Sequence, residues 1–406
     1  MSSLLILVIV ALLGIAIWQL TKIFDITQST GGKKDWTSEI ATDKDNNING
    51  YLMFGFLAFI YIFTIYSVVK WGYMPLMSDA ASEHGADYDN LMWISMGIIF
   101  FVQFLTQFLL HYFAFKNRGH KDKKAIFFAD NDRLEFIWTI IPVIVLSLLI
   151  LYGLFAWNKI MHYDEEEEVI YVEVYAKQFG WDFRYAGDDN TLGKANVRFI
   201  DGVNAVGVDM SDPNSQDDRM AKELYLPVGK KVVFKIRSQD VLHSAYFPHF
   251  RAQMNCVPGM VTQFVMVPTI TTNEMRQRDA VVKKVNEVNK ARQKRSAELV
   301  EQGQEGLEPY VFDYILLCNK ICGRSHYNMQ AKVVVVEQDE FKKWYNQLPV
   351  LGKQVAEEKA AAQAEADKLA AAQAEAERIA AKVEKTIVEE TEVIVDETVS
   401  AANVIN

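Results

Sequence analysis

The sequence predicts a membrane-anchored α + β protein in which four apolar helices precede an extracytoplasmic domain of short β-strands. Three observations predict it. Four charge-poor apolar runs fall within the first 157 residues. Beyond them, β-branched and aromatic residues recur in short runs separated by turn residues, the pattern of a sandwich or small barrel. Finally, Cys318, Cys322, His326 and Met329 stand at offsets 0, 4, 8 and 11, four soft or borderline metal ligands within twelve residues.

The first apolar run spans residues 1–20 and carries no charge. It has no basic residue ahead of its apolar core and no small-residue cleavage site behind it, so it reads as an uncleaved span rather than a signal peptide. Further spans cover 51–69, 91–115 and 136–157, each near the ~20 residues a helix needs to cross hydrocarbon. Lys116, Arg118, Lys121, Lys123 and Lys124 follow the third span, which places that loop in the cytoplasm. The loop after the second span is acidic instead, with Asp79, Glu83, Asp87 and Asp89. Four spans put both termini outside. Everything after Trp157 then faces the extracytoplasmic side of a bacterial-type inner membrane.

The 406 residues leave room for several domains, and a formal charge of −10 argues against non-specific nucleic-acid binding while suiting a basic protein partner. Past an acidic run at 164–168, strands are expected over 170–183, 223–227, 231–237, 261–267, 311–317 and 331–337. Two stretches interrupt them. Residues 186–222 read as a polar, Asp-rich surface excursion. Residues 273–301 read as an inserted helix, because Val281, Val285 and Val288 fall on one stripe. That helix is either a contact for another subunit or simply solvated. The tail repeats Ala-Ala-Ala-Gln-Ala-Glu-Ala from 360 and from 370, good helix formers without a heptad; from Thr386 it turns acidic and reads as a disordered end.

The ligand cluster narrows the chemistry. Two thiolates favour zinc, Cu(I) or iron–sulfur; imidazole suits copper and zinc; a thioether belongs mainly to copper electron-transfer sites. A Cys318–Cys322 disulfide and a zinc site completed by a remote histidine are the alternatives. A four-cysteine zinc site is excluded, because Cys256 is the one other cysteine. No Cys-x-x-Cys-His occurs, so the chain carries no attached haem.

The pattern C-x₃-C-x₃-H-x₂-M, taken with Asp240-Val-Leu-His243-Ser244, resembles the dinuclear CuA centre of the cytochrome c oxidase subunit II family. The resemblance implies a cupredoxin-like Greek-key barrel. It implies that Cys318 and Cys322 bridge two copper ions, that His243 and His326 bind one each, and that Met329 and the backbone carbonyl of Lys320 are weak ligands. Residues 134–142, Leu-Glu-Phe-Ile-Trp-Thr-Ile-Ile-Pro, resemble the opening of the family's second membrane helix, where Glu135 would lie at a proton-path entrance. The same residue also fits an ordinary acid at a helix N-terminus. Gln178-Phe179-Gly180-Trp181 resembles the family's aromatic patch, which makes Phe179 and Trp181 electron-receiving candidates; a plain aromatic core is the alternative for Trp181. Lys320 stands where the family usually has a glutamate that reaches magnesium at the subunit I interface. An ammonium cannot coordinate Mg²⁺, so no magnesium ligand is assigned here.

The implied function is to take electrons from a c-type cytochrome and pass them to haem a of subunit I, for reduction of oxygen to water coupled to proton pumping. Subunits I and III are the implied partners, and the donor is either free or fixed in a larger respiratory supercomplex. Asp182, Asp188, Asp189 and Asp240 would steer a basic donor. The expected organisation is two added helices over 1–90, the family's helix hairpin over 91–160, the copper domain over 161–345 with insertions near 186–222 and 273–305, and the tail over 346–406. A quinol oxidase subunit would lack the copper ligands, nitrous oxide reductase would need a propeller domain, and a copper chaperone would have no need of the helix hairpin.

Overall fold

Long apolar runs leave the backbone nothing to bond but itself, so the N-terminal part folds as helices. The computed structural model describes residues 2–29, 42–72, 79–127, 129–164 and 168–403, with side chains described from residue 10 to 23 in the first of these and to 387 in the last. Most of the acidic run at 164–168 thus lies outside the described residues. Two compact units result, Met1–Tyr73 with Trp93–Leu148 and Met74–Met92 with Leu149–Asn406.

The helices are α1 (Ser2–Ser29), α2 (Asp43–Trp71), α3 (Gly85–Lys116) and α4 (Asp132–Met161). Among the described residues, α2, α3 and α4 are long and apolar enough to cross a membrane, while the described apolar part of α1, Val10–Ile23, is shorter. A capping box opens α2: Thr42 Oγ1 accepts from the Asp45 N–H (3.3 Å), and the Asp45 carboxylate accepts from the Thr42 N–H (3.2 Å). Gly50 lets α2 approach α3, since a Cβ there would meet the Phe115 ring at 2.6 Å. Gln103 Nε2 donates to Thr64 Oγ1 (3.4 Å), a polar tie between two apolar helices. In α4, Asn131 Oδ1 accepts from the Leu134 N–H (3.1 Å), and exposed Glu135 sits in the first turn.

In the second unit the strands are β1 (Val169–Lys177), β2 (Gly180–Tyr185), β3 (Arg219–Ala221), β4 (Leu224–Pro227), β5 (Lys231–Ser238), β6 (His243–Phe247), β7 (Ala252–Cys256), β8 (Thr262–Met266), β9 (Tyr314–Cys318) and β10 (Gln330–Val336). They form two five-stranded sheets, ordered β3-β2-β1-β5-β8 and β4-β10-β9-β6-β7. The expected single strand over 170–183 is a hairpin, turned at Gln178-Phe179 so that Lys177 pairs with Gly180. Alternate residues of β1, Val172, Val174 and Ala176, enter the core between the sheets, together with Phe183, Phe234 and Leu316.

The other face of β1 is buried too, which corrects the reading of 186–222 as a polar surface excursion. Val206 and Val208 from that segment cover Tyr175, joined by Leu351 and Val355 from the base of the tail helix. The segment is therefore a folded cover with its own small core. The tail helix, α8 (Leu351–Asn403), follows α7 (Gln338–Gln347). Its backbone is helical to Asn403, and the side chains beyond 387 lie outside the described residues. Alanine, glutamate and lysine supply the helix propensity, since residues 359–387 are exposed on every side.

The insertion is helical as expected, split into α5 (Thr272–Gln277) and α6 (Asp279–Glu301). Val281 is buried and Val285 packs against the core. Between this insertion and β9 lies His249, its ring 5.2 Å from Phe312 and 5.5 Å from Tyr314. Burial, with Arg251 and Lys284 adding to it, pushes the His249 pKa from 6.5 down to about 4. The unfolded chain therefore binds a proton there more readily than the folded one. The stability contributed by a neutral His249 is present above about pH 6.5 and lost as the pH falls toward 4. His249→Gln is expected to remove about 3 kcal/mol of the acid-induced loss across that window, read as a flatter dependence of Tm on pH; an unchanged dependence would count against it.

Candidate metal centre

The connection from β9 to β10 closes on itself, because the Cys318 N–H donates to the Met329 carbonyl (3.0 Å). Gly323 makes the tight path possible. Its φ is +139°, and a Cβ there would lie 2.9 Å from the Phe179 ring. A short 3-10 turn over His326–Asn328 then brings His326 and Met329 back toward the cysteines. Cys322 Sγ lies 3.6 Å from His326 Nδ1 and 3.7 Å from Met329 Sδ. Cys318 Sγ lies 3.9 Å from Cys322 Sγ and 3.2 Å from the Lys320 carbonyl oxygen.

The remote histidine arrives by strand register. β6 runs antiparallel beside β9 with Ala245 opposite Cys318, which sets His243 Nδ1 3.7 Å from Cys318 Sγ. The ligand atoms of His243, Cys318 and Cys322 all lie within 4.8 Å of one another. The sulfurs are two free thiols, far from the ~2.05 Å of a disulfide. Each has its own imidazole, and the thioether and a carbonyl stand beside them. This donor set fits a pair of copper ions; a closed zinc site would use four donors and leave the rest idle. Burial, then the neighbouring Cys318, pushes the Cys322 thiol up to about 11. Without a metal the Cys322 thiol holds its proton at neutral pH, and a metal must displace it.

Asp240 holds the far side of His243. Its Oδ1 is 2.8 Å from His243 Nε2 and accepts from the Val241 N–H (2.7 Å), while Oδ2 accepts from the Gln178 N–H (2.7 Å). Burial raises the Asp240 pKa, but these hydrogen bonds outweigh it and leave the carboxyl below its ordinary value. The Gln178 side-chain amide donates to the Cys322 carbonyl. Neither tie was legible in the sequence, where Gln178 is one more polar residue beside an aromatic.

The remaining expected residues sort differently. Phe179 is 39% exposed, beside Gly323. Trp181 is only 5% exposed, edge-on to the His243 ring at 6.5 Å between centroids. It is a wall of the site and no surface contact for a donor, which corrects that part of its expected role. Asp182 is also corrected as a docking acid: it is fully buried and ion-paired to Lys177 (2.6 Å) and Lys222. Cross-strand pairing neutralises it. Asp240 spends its carboxylate on the three groups just named. Asp188 and Asp189 remain exposed, with Arg219 3.6 Å from Asp188.

Residues 69–155 match the family described as cytochrome c oxidase subunit II, transmembrane domain, and residues 170–275 match cytochrome c oxidase subunit II, periplasmic domain. The alternative cytochrome c oxidase subunit 2 of Bradyrhizobium diazoefficiens is 29% identical over 261 residues, covering 64% of this chain and 79% of that protein. The cytochrome c oxidase subunit 2 of Alkalihalophilus pseudofirmus is 26% identical over 263 residues, covering 63% of this chain and 57% of that one. Among solved structures, the periplasmic domain of subunit II of cytochrome oxidase from Bradyrhizobium japonicum aligns with 44% of this chain and 91% of its own, at 16% identity and a TM-score of 0.24.

Proposed function

We propose that the chain is a cytochrome c oxidase subunit II that receives electrons from a c-type cytochrome and hands them to haem a of subunit I, for reduction of oxygen to water coupled to proton pumping; its matches to the family's transmembrane and periplasmic domains and to relatives of that name support the reading. The observation that carries the reading is the convergence of Cys318, Cys322, His243, His326 and Met329 on one point. When bound, a pair of copper ions supplies acceptance and release of single electrons.

The chain's own residues supply the rest. Cys318 and Cys322 would bridge the pair, His243 and His326 would bind through Nδ1, and Met329 with the Lys320 carbonyl would be weak ligands. Cys318 and His243 lie at the ends of paired strands, so they stay in place whichever charge the centre holds. Trp181 keeps water from the His243 ring. Phe179, the exposed aromatic beside Gly323, would face the donor. Lys320 offers no magnesium ligand. Glu135 would lie at a proton-path entrance at the cytoplasmic end of α4. With Asp182 buried against two lysines, Asp188, Asp189 and Asp240 of the expected acids remain to steer a basic donor, Asp188 with Arg219 beside it. Lowering the salt should then speed donor oxidation only modestly, and a steep dependence in stopped-flow measurements would contradict this. The two added helices, α1 and α2, would pack against a partner membrane subunit.

Metal analysis of the purified full-length protein tests the proposal. Two coppers per chain with a multi-line paramagnetic signal are expected, along with reduction by ferrocytochrome c. Zinc, or one metal ion per chain, would overturn it.

A further inference from the structure

The ligand set comes from two separate parts of the fold: His243 opens β6, and the other ligands lie on the β9–β10 loop. Backbone pairing ties these parts at Ala245 and Cys318. A second tie runs through side chains. The Asp240 carboxylate faces His243 Nε2 at 2.8 Å and accepts the Gln178 N–H at 2.7 Å. The Gln178 amide then reaches the Cys322 carbonyl. A carbonyl only accepts, so the amide nitrogen must be the donor there. Both Asp240 oxygens already accept backbone N–H groups, Oδ1 from Val241 and Oδ2 from Gln178, so the carboxylate faces His243 as an acceptor. The hydrogen in its bond to His243 must therefore sit on Nε2, and Nδ1, 3.7 Å from Cys318 Sγ, is left with its lone pair free.

We propose that Asp240 and Gln178 form a latch of positioning residues, which fixes the Nε2–H tautomer of His243 and holds the cysteine loop against the β1–β2 turn before any metal arrives. The inference rests on the copper reading for its effect on the centre, but its geometry does not require the metal. A carboxylate behind a ligating imidazole also makes that ligand more basic. Removing its charge should favour the reduced, electron-richer state.

The test uses the full-length chain in detergent, with Asp240→Asn, Asp240→Ala, Gln178→Ala and Gln178→Met, and with Asp188→Asn as a control that removes a distant exposed charge. Gln178→Met keeps the side-chain length without the amide, so one of the two Gln178 variants remains informative if the other folds poorly. Copper affinity, measured by chelator competition, should fall about 10–100-fold in the Gln178 and Asp240 variants, and the midpoint potential should rise in Asp240→Asn but not in Asp188→Asn. In metal-free, ¹⁵N-histidine-labelled protein, His243 should hold its proton on Nε2 in the parent and spread it over both nitrogens in Asp240→Ala. A parent that binds no copper but shows this tautomer shift would defeat the proposed function and leave the latch standing. An unchanged tautomer in Asp240→Ala, parental affinity in the Gln178 variants, or a potential in Asp240→Asn no higher than in Asp188→Asn would overturn the latch.

Discussion

Replacing Cys322 with serine is expected to remove the metal centre while leaving the fold intact. The Cys322 sulfur lies within 3.9 Å of Cys318 Sγ, His326 Nδ1 and Met329 Sδ, so it touches three of the other four ligating side chains. Serine is nearly the same size, but its hydroxyl stays protonated and is a harder donor than a thiolate, which copper prefers. Copper should fall from two ions per chain to at most one. Reduction by ferrocytochrome c should slow by more than ~100-fold, the upper end of what is lost when a supporting residue is removed. Met329→Leu gives the comparison: a weak ligand is lost, copper stays, and the spectrum shifts. If Cys322→Ser keeps two coppers and parental electron transfer, the sulfurs do not bridge a metal pair and the proposed function falls with them.

Legibility in the sequence follows the range of the interactions. The membrane spans and the cysteine loop are local signals: hydrophobic length sets the former, and ligand spacing within a single loop sets the latter. The strands that carry the core were visible for the same reason, as in Lys231–Ser238, where alternate residues are buried. What stayed hidden is assembled from distant segments. The strands at 243–247 and 252–256 mix histidine, serine, glutamine and asparagine with their apolar residues, because one end of this sheet serves the site and not the core. Asp182 looks like a surface acid until strand pairing brings Lys177 beside it. Residues 186–222 look polar because their two buried valines need Tyr175 from β1 and Leu351 and Val355 from α8 to complete a core. The Gln178–Asp240 connection spans 62 residues, so neither segment shows it alone.

The largest expected effect on stability lies beneath that cover. Arg184 on β2 has a side chain 3% exposed; its Nε donates to Glu173 (2.6 Å), and its Nη1 donates to both Asp218 (2.6 Å) and the Gly193 carbonyl (2.9 Å). Arg237 holds the second oxygen of Glu173. Burial pushes the Glu173 carboxyl up, and the two guanidinium groups more than reverse it. Asp218 has only Arg184, and burial wins there, raising its pKa to about 6. Arg184→Met would leave Glu173 with one cation and Asp218 with none, a buried uncompensated charge that costs about 3–5 kcal/mol. The sign with pH follows. An acid whose folded pKa lies above its unfolded value costs stability at high pH and recovers it as the pH falls through the folded pKa. Arg184→Met should therefore melt furthest below the parent near pH 8 and approach it near pH 5. Adding Glu173→Gln and Asp218→Asn should restore much of the loss, since a neutral set of similar volume has no charge left to desolvate. Calorimetry of the three-fold variant against Arg184→Met separates the two terms. If Arg184→Met is as stable as the parent at pH 8, the cover over β1 is held by its valines and not by these charges.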